Sequence, residues 1–163
     1  MFSVIQFVLF RSLILRIAFN QKLPYMGPIS VGMRPGMALY FQGLVLQEAK
    51  QFEINLKTGQ SGGDDTAFQF KPCFGQKVTL NSFSSKSWQI EESASDKPFT
   101  KGAAFTMIFV IKAEGFEVYV NGLQLCMFKH RLPLEKVTAL MISGDVSMNI
   151  FGVIPVSIVL IFL

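Results

Sequence analysis

An all-β sandwich is the fold this sequence predicts, and three observations carry it. Half of the 163 residues are hydrophobic and 17 are Phe, a loading of aromatic and β-branched side chains that suits a pleated, half-buried surface better than a helix. Short runs with period-two alternation are broken by turn residues, as in a two-layer sandwich. No segment of helix length holds a 3.6-residue period with caps, the N-terminal leader being the one stretch open to that reading. The length suits one domain with a proper core and is short for two.

Taken in order, residues 1–19 are an apolar stretch with Arg11 and Arg16 inside it and Asn20-Gln21-Lys22 behind it. A signal peptide carries its charge ahead of the apolar run and small residues after it. Two internal arginines make a membrane span costly. Residues 1–22 are therefore read as an apolar extension, or as a start placed too early, in preference to a signal or anchor. The domain itself is expected over 23–152.

Inside it, Gln51 to Leu56 alternates cleanly, and so does Ala67 to Phe74, which sends Phe68, Phe70 and Phe74 to one face and Gln69, Lys71 and Cys73 to the other. Val78 and Leu80 against Thr79 and Asn81 repeat the arrangement one strand later. Phe105 to Ile111, bounded by Gly102 and by Glu114-Gly115, is an apolar run of the length of one well-buried strand. Phe116 to Val120 and Leu123 to Phe128 form a hairpin around Asn121-Gly122, the pair that best tolerates the positive φ of a type I′ turn. The final stretch, residues 153–163, is apolar and too short to span a bilayer, which takes about 20 apolar residues. It reads as a terminal strand running into a hydrophobic tail, or as an alternative transcript end.

Charge narrows the partners. Of 15 Lys and Arg, three (Arg11, Arg16 and Lys22) lie in the leader, leaving 12 against 11 acidic residues in the domain, interspersed with them. Nucleic-acid binding asks for clustered basic residues, so no nucleic acid is expected. Cys73 and Cys126 are too few for a disulfide framework. They are read as two reduced thiols in a cytoplasmic protein, and with His130 the only histidine no Cys/His zinc site can be assembled. No metal or cofactor is expected.

If the phenylalanines of 68–74 face the core, then Gln69, Lys71 and Cys73, with Thr79 and Asn81 beside them, line an exposed sheet face, and Trp88, Glu91 and Ser93 follow beyond a polar turn. One indole plate, a carboxylate and several amides suit sugar recognition, the ring stacking on the indole while fixed polar groups read the hydroxyls. The plainer alternative is a Trp packed for stability and two solvated glutamates. Glycosidase chemistry is excluded, because Glu91 and Glu92 are adjacent in a strand and point to opposite faces.

The segments AFQFKPCF, KVTLNS and SWQIEES resemble the galectin signature, in which a His-x-Asn-Pro-Arg strand, a Val-x-Asn strand and a Trp-x-x-Glu-x-Arg segment form the galactoside site. Leu23-Pro24-Tyr25, Gly32 to Gly36, Lys101 to Phe105, Gly115 to Gly122 and His130 to Leu134 also resemble that family, most of all the first domain of the tandem-repeat galectins of gut epithelium. The resemblance covers about residues 23–152. It implies a jelly-roll β-sandwich of two antiparallel sheets with five and six strands, and a lectin that is not an enzyme. It further implies glycans or glycoproteins as partners, a homodimer as an option, and non-classical secretion beside a cytoplasmic location.

The site departs from the signature. Asn81, Trp88 and Glu91 are retained as carbohydrate-binding residues, with Pro72; the His, Asn, Arg, Val and second Arg positions hold Gln69, Lys71, Cys73, Thr79 and Ser93. The resemblance implies that the replaced His, Asn and Arg read the axial 4-hydroxyl of galactose, that Trp88 stacks on the ring, and that Asn81 and Glu91 hold the 6-hydroxyl and the neighbouring sugar. Hydrogen bonds to charged groups contribute ~1.5–3 kcal/mol each, so two lost arginines remove several kcal/mol, enough to erase a site in the mM to μM range. Gln69 still donates and accepts and Lys71 offers a charged donor, whereas Cys73 and Ser93 cannot replace a guanidinium fork. The expectation is a galectin-type lectin with a weakened or altered β-galactoside site; the alternative is a galectin-fold module for protein interaction or self-association that has lost sugar binding. A third reading, membrane contact, rests on the two apolar ends alone. His130 and Arg131 are expected to fix the loop after their strand.

Overall fold

The computed structural model describes residues 16–159. Thirteen strands occur among them: β1 (Arg16–Phe19), β2 (Tyr25–Pro28), β3 (Met37–Val45), β4 (Phe52–Lys57), β5 (Thr66–Cys73), β6 (Lys77–Ser84) and β7 (Ser87–Trp88). After these come β8 (Glu92–Ala94), β9 (Ala104–Ile111), β10 (Gly115–Val120), β11 (Leu123–Lys129), β12 (Ala139–Gly144), β13 (Val146–Pro155) and a single helical turn, α1 (Val156–Val159). They form a jelly-roll sandwich of two antiparallel sheets. One runs β1-β13-β3-β9-β10-β11, the other β2-β12-β4-β5-β6-β7, with β8 also paired to β6.

The sheets hold six and seven strands where five and six were expected. The difference in the first is β1, which lies inside the stretch read as a leader and pairs with β13 from Arg16↔Val153 to Phe19↔Ile150. In the second it arises because one partner of β6 is broken into β7 and β8. At the other end β13 continues to Pro155, past residue 152. Residues 1–15 and 160–163 of the leader and tail lie outside the described residues.

The phenylalanines fill the space between the sheets. Phe68 stacks on Phe128 at 4.6 Å and on Phe116 at 5.2 Å between ring centroids, and Phe52 stacks on Phe105 at 5.7 Å. Such inter-sheet ring contacts add to the burial of large apolar area. The apolar run over β9 is explained by burial on both faces: Phe105, Met107, Phe109 and Ile111 face the inter-sheet core, while Ile108 and Val110 join Ala38, Tyr40 and Ile154 in a second cluster on the far side of the six-stranded sheet. The hairpin expected at Asn121-Gly122 is present, with both residues at positive φ (50° and 82°) and Val120 facing Leu123 across a two-residue loop.

Candidate functional site

The outer face of the seven-stranded sheet carries polar side chains in transverse rows set by strand register. One row runs Met141, Asn55, Gln69, Asn81 across β12, β4, β5 and β6. A second runs Lys57, Thr66, Phe83, Trp88. On the other side of the first row lie the pair Ser143 and Glu53 and, across β5, β6 and β8, Lys71, Thr79 and Ser93. Cys73 is one step further, opposite both Gln51 and Lys77.

Between the first two rows is a hollow of about 260 Å³, lined by Glu53, Asn55, Lys57, Gly62, Thr66, Gln69, Phe83, Trp88 and Met141. This is less than the ~300–1,000 Å³ of pockets for drug-sized ligands, so its scale is that of a small ring. Trp88 forms one wall, 50 % exposed and edge-on to Phe83 at 5.3 Å. Gln69 donates from Nε2 to Glu53 Oε2 at 2.9 Å, and Ser143 Oγ donates to Glu53 Oε1 at 3.1 Å, so both carboxylate oxygens of Glu53 are held in place.

The sequence-derived site residues divide. Gln69 and Trp88 meet at the hollow, although Gln69 and Asn81, expected on an exposed face, are buried, at 9 % and 7 % exposure. Asn81 is in the same row as Gln69, but its amide is engaged: Nδ2 donates to the Gln89 carbonyl at 3.1 Å, and Oδ1 accepts from the Ser82 backbone N–H at 2.8 Å and from Arg131 at 3.2 Å. Glu91 accepts a 2.6 Å contact from Lys77 Nζ, with both side chains about half exposed. Lys71, Thr79 and Ser93 stand together on the adjoining row, outside the hollow. Cys73 contacts Gln51 Oε1 at 3.9 Å and the Lys71 carbonyl at 3.8 Å, at the weak limit for a thiol donor. The carboxylates of Glu91, just ahead of β8, and of Glu92, its first residue, turn to different partners, Lys77 and Arg131.

This face sits on a domain with clear relatives. Residues 24–152 match the family model described as galactoside-binding lectin. The chain belongs to that family. It is 44 % identical over 144 residues to galectin-4 of Bos taurus, covering 85 % of this chain and 43 % of that protein, and 34 % identical over 128 residues to human galectin-7, covering 78 % and 94 %. Among solved structures, sheep galectin-11 in complex with glycerol superposes with a TM-score of 0.77 at 26 % identity, covering 83 % of this chain and all of that one. The chain thus spans less than half the length of the galectin-4 proteins it matches. The family consists of lectins and not enzymes.

Several residues of this sheet face escaped sequence reading. Glu53, Asn55 and Lys57 lie on the same side of β4, but only the pairing of β4 with β5 brings them beside Gln69. Arg131 comes from the loop after β11: its guanidinium stacks on Phe128 at 4.5 Å and reaches Asn81, Ser82 and Glu92. His130 instead holds the loop, its Nε2 2.9 Å from the Lys112 carbonyl and its ring edge-on to Phe116 at 4.7 Å. Cys73 and Cys126 are both free.

Proposed function

We propose that this chain is a carbohydrate-binding lectin whose β-galactoside site, on the outer face of the seven-stranded sheet, is altered in its polar contacts. The observation that supports it best is Trp88: an indole half-exposed over a hollow with amides and a carboxylate on its floor is an expensive surface to leave without a ligand, and it matches the stacking plate a pyranose needs. In this reading Gln69 acts as donor and acceptor where the family has His, Lys71 supplies a charged donor in place of Asn, and Asn81 and Glu91 contribute at the margin. Cys73, Thr79 and Ser93 leave the arginine-dependent contacts unmade, which lowers affinity for plain galactosides. Glycans or glycoproteins are the partners, and a cytoplasmic residence with export by a non-classical route goes with the free thiols. Among the described residues no helix is long and apolar enough to cross a membrane.

The test is retention on immobilised lactose beside a glycan panel. Retention that disappears in Trp88→Ala supports the reading. Failure to bind any glycan overturns it. Combining Gln69→His, Lys71→Asn, Cys73→Arg and Ser93→Arg is expected to tighten lactose binding if these departures set the affinity.

A second reading has its own support. Asn81 and Glu91, two of the three retained residues, already have protein partners, which favours a module that has kept the fold and binds protein or a second copy of itself. Concentration-dependent sedimentation without glycan binding is the outcome that selects it.

A further inference from the structure

The outer face of the six-stranded sheet, on the far side of the sandwich from Trp88, is dry where a sheet of a two-layer sandwich ordinarily meets water. Strand register places two rows across it: Ile154, Ala38 and Val110 in one, Gly152, Tyr40, Ile108 and Tyr119 in the next. Ala38 and Ile154 are 0 % exposed, Tyr40 1 %, Ile108 2 % and Val110 5 %. Burial also raises the Tyr40 hydroxyl above its ordinary value of 10.0. The described side chains packed against this cluster are Tyr119, Ile150 and Val156, and the first two belong to the sheet itself. Among the described residues, then, Val156 is the one that arrives from outside it. A buried aromatic side chain accounts for roughly 150–250 Å² by itself, more than one valine can cover, and two isoleucines and a valine lie beside Tyr40.

The chain enters this face at one corner. β13 ends at Pro155, opposite Met37, and the Val156 N–H donates to the Gly36 carbonyl at 2.9 Å. The turn fastens α1 against the start of β3, with the Val156 side chain already on the cluster. From Val156 the sequence reads Val-Ser-Ile-Val-Leu-Ile-Phe-Leu, uncharged and with Ser157 its one polar residue; Ser157 is exposed. A helix of that length is about 12 Å long, and neighbouring strands lie about 4.8 Å apart, so it would cross from β13 over β3 to β9, the width of the buried cluster. Ala38 presents only a methyl group and Gly152 no side chain, which leaves room for close approach. Left in water, the same tail would add a contiguous apolar patch of the kind that monomers rarely expose.

We propose that the apolar tail, residues 156–163, docks across the outer face of the six-stranded sheet and closes that face to a second copy of the chain, with Phe162, the tail's one aromatic residue, laid against Tyr40 and Ile108. An uncovered apolar sheet face is a surface on which two copies can pair. A segment tethered beside it wins that competition, because a short tether holds it at an effective concentration of about the mM range. Sugar binding, on the opposite face, is independent of this contact. Self-association through this face requires the tail to leave it.

The test starts from the full chain with Phe162 replaced by the photoreactive p-benzoyl-phenylalanine. Irradiation and peptide mass mapping are expected to join that position, within one chain, to the β3 and β9 segments that hold Tyr40 and Ile108. Crosslinks only to a second copy, only to the seven-stranded sheet, or to no part of the chain overturn the proposal. Sedimentation and the fluorescence of an apolar dye read the face itself. Phe162→Asp is expected to raise dye fluorescence several-fold and to shift the chain from monomer toward dimer as its concentration rises, whereas Ser157→Asp, at an exposed position, is expected to do neither. A Phe162→Asp chain that stays monomeric and leaves the dye dark overturns the assignment to the tail and points to residues 1–15 as the cover. Should Phe162→Asp fail to fold, the crosslinks of the photoreactive chain decide by themselves.

Discussion

Arg131, in the loop that follows β11 of the six-stranded sheet, donates to the side-chain oxygen of Asn81 in the other sheet at 3.2 Å, while also reaching Ser82 Oγ at 3.2 Å and Glu92 at 2.8 Å. One guanidinium thereby ties a retained site residue to the opposite layer, with Phe128 stacked beneath it. Arg131→Ala leaves Asn81 and the fully buried Ser82 short of a donor. A stability loss of about 2 kcal/mol is expected, read as a fall of roughly 4–8 °C in thermal midpoint. Arg131→Lys is expected to recover little of it, since a point charge cannot serve three acceptors in fork geometry.

Asp145 makes a second long-range tie. Its Oδ2 accepts from the backbone N–H groups of Lys50 at 2.8 Å and Gln51 at 3.2 Å, pinning the β12–β13 turn to the start of β4. These backbone hydrogen bonds, first that of Lys50, hold its carboxyl below the ordinary value of 3.8. A carboxyl depressed in the folded state contributes stability that is complete above its unfolded pKa and is lost as pH falls through the folded one. Asp145→Asn is therefore expected to unfold at lower denaturant than the parent at pH 7, with the gap between them closing as pH drops below about 4. A gap independent of pH would mean that the carboxylate charge is not what holds the turn.

The parts of this architecture that a linear reading found are those encoded locally. Alternation put Phe68 and Phe70 inside and Gln69 and Lys71 outside, and Asn121-Gly122 announced its own turn. Lys57 shows why the same logic stops short. It shares the outward side of β4 with Glu53 and Asn55, so period two predicts an exposed lysine, yet a register shift between Leu56 and Lys57 and the loop that returns from Thr58 to Asp65 cover it. Arg131 shows another limit. Its residue type and position fit a loop anchor, and only the packing of two sheets puts it 50 residues away against Asn81. Strand pairing, bulges and inter-sheet reach are non-local, and they decide which of several outward-facing polar residues meet at one hollow.

Burial, with the nearby Glu92 carboxylate adding to it, pushes the Cys126 thiol up to about 12. Because the thiolate is the reactive species, Cys126 is expected to resist alkylation by iodoacetamide at pH 8 in the native protein and to react fully once it is unfolded. Peptide mass mapping checks this. Rapid native labelling of Cys126 would show that β11 opens readily at the sheet edge.

Glu91 offers the most direct probe of the altered sugar face. Its carboxylate is occupied by Lys77 at 2.6 Å in a pair that is about half exposed on each side. Exposed pairs of this kind contribute ~0–1 kcal/mol to stability, so Lys77→Ala is expected to leave the thermal midpoint nearly unchanged. What changes is the acceptor: a carboxylate released from its partner can take a sugar hydroxyl, and a hydrogen bond to a charged group is worth up to a few kcal/mol before desolvation is subtracted. Lactose affinity is accordingly expected to rise a few-fold in Lys77→Ala, by calorimetry or by retention on a lactose column. An unchanged affinity would place Glu91 outside the sugar contacts, and would leave Trp88 and Gln69 as the residues on which galactoside binding depends.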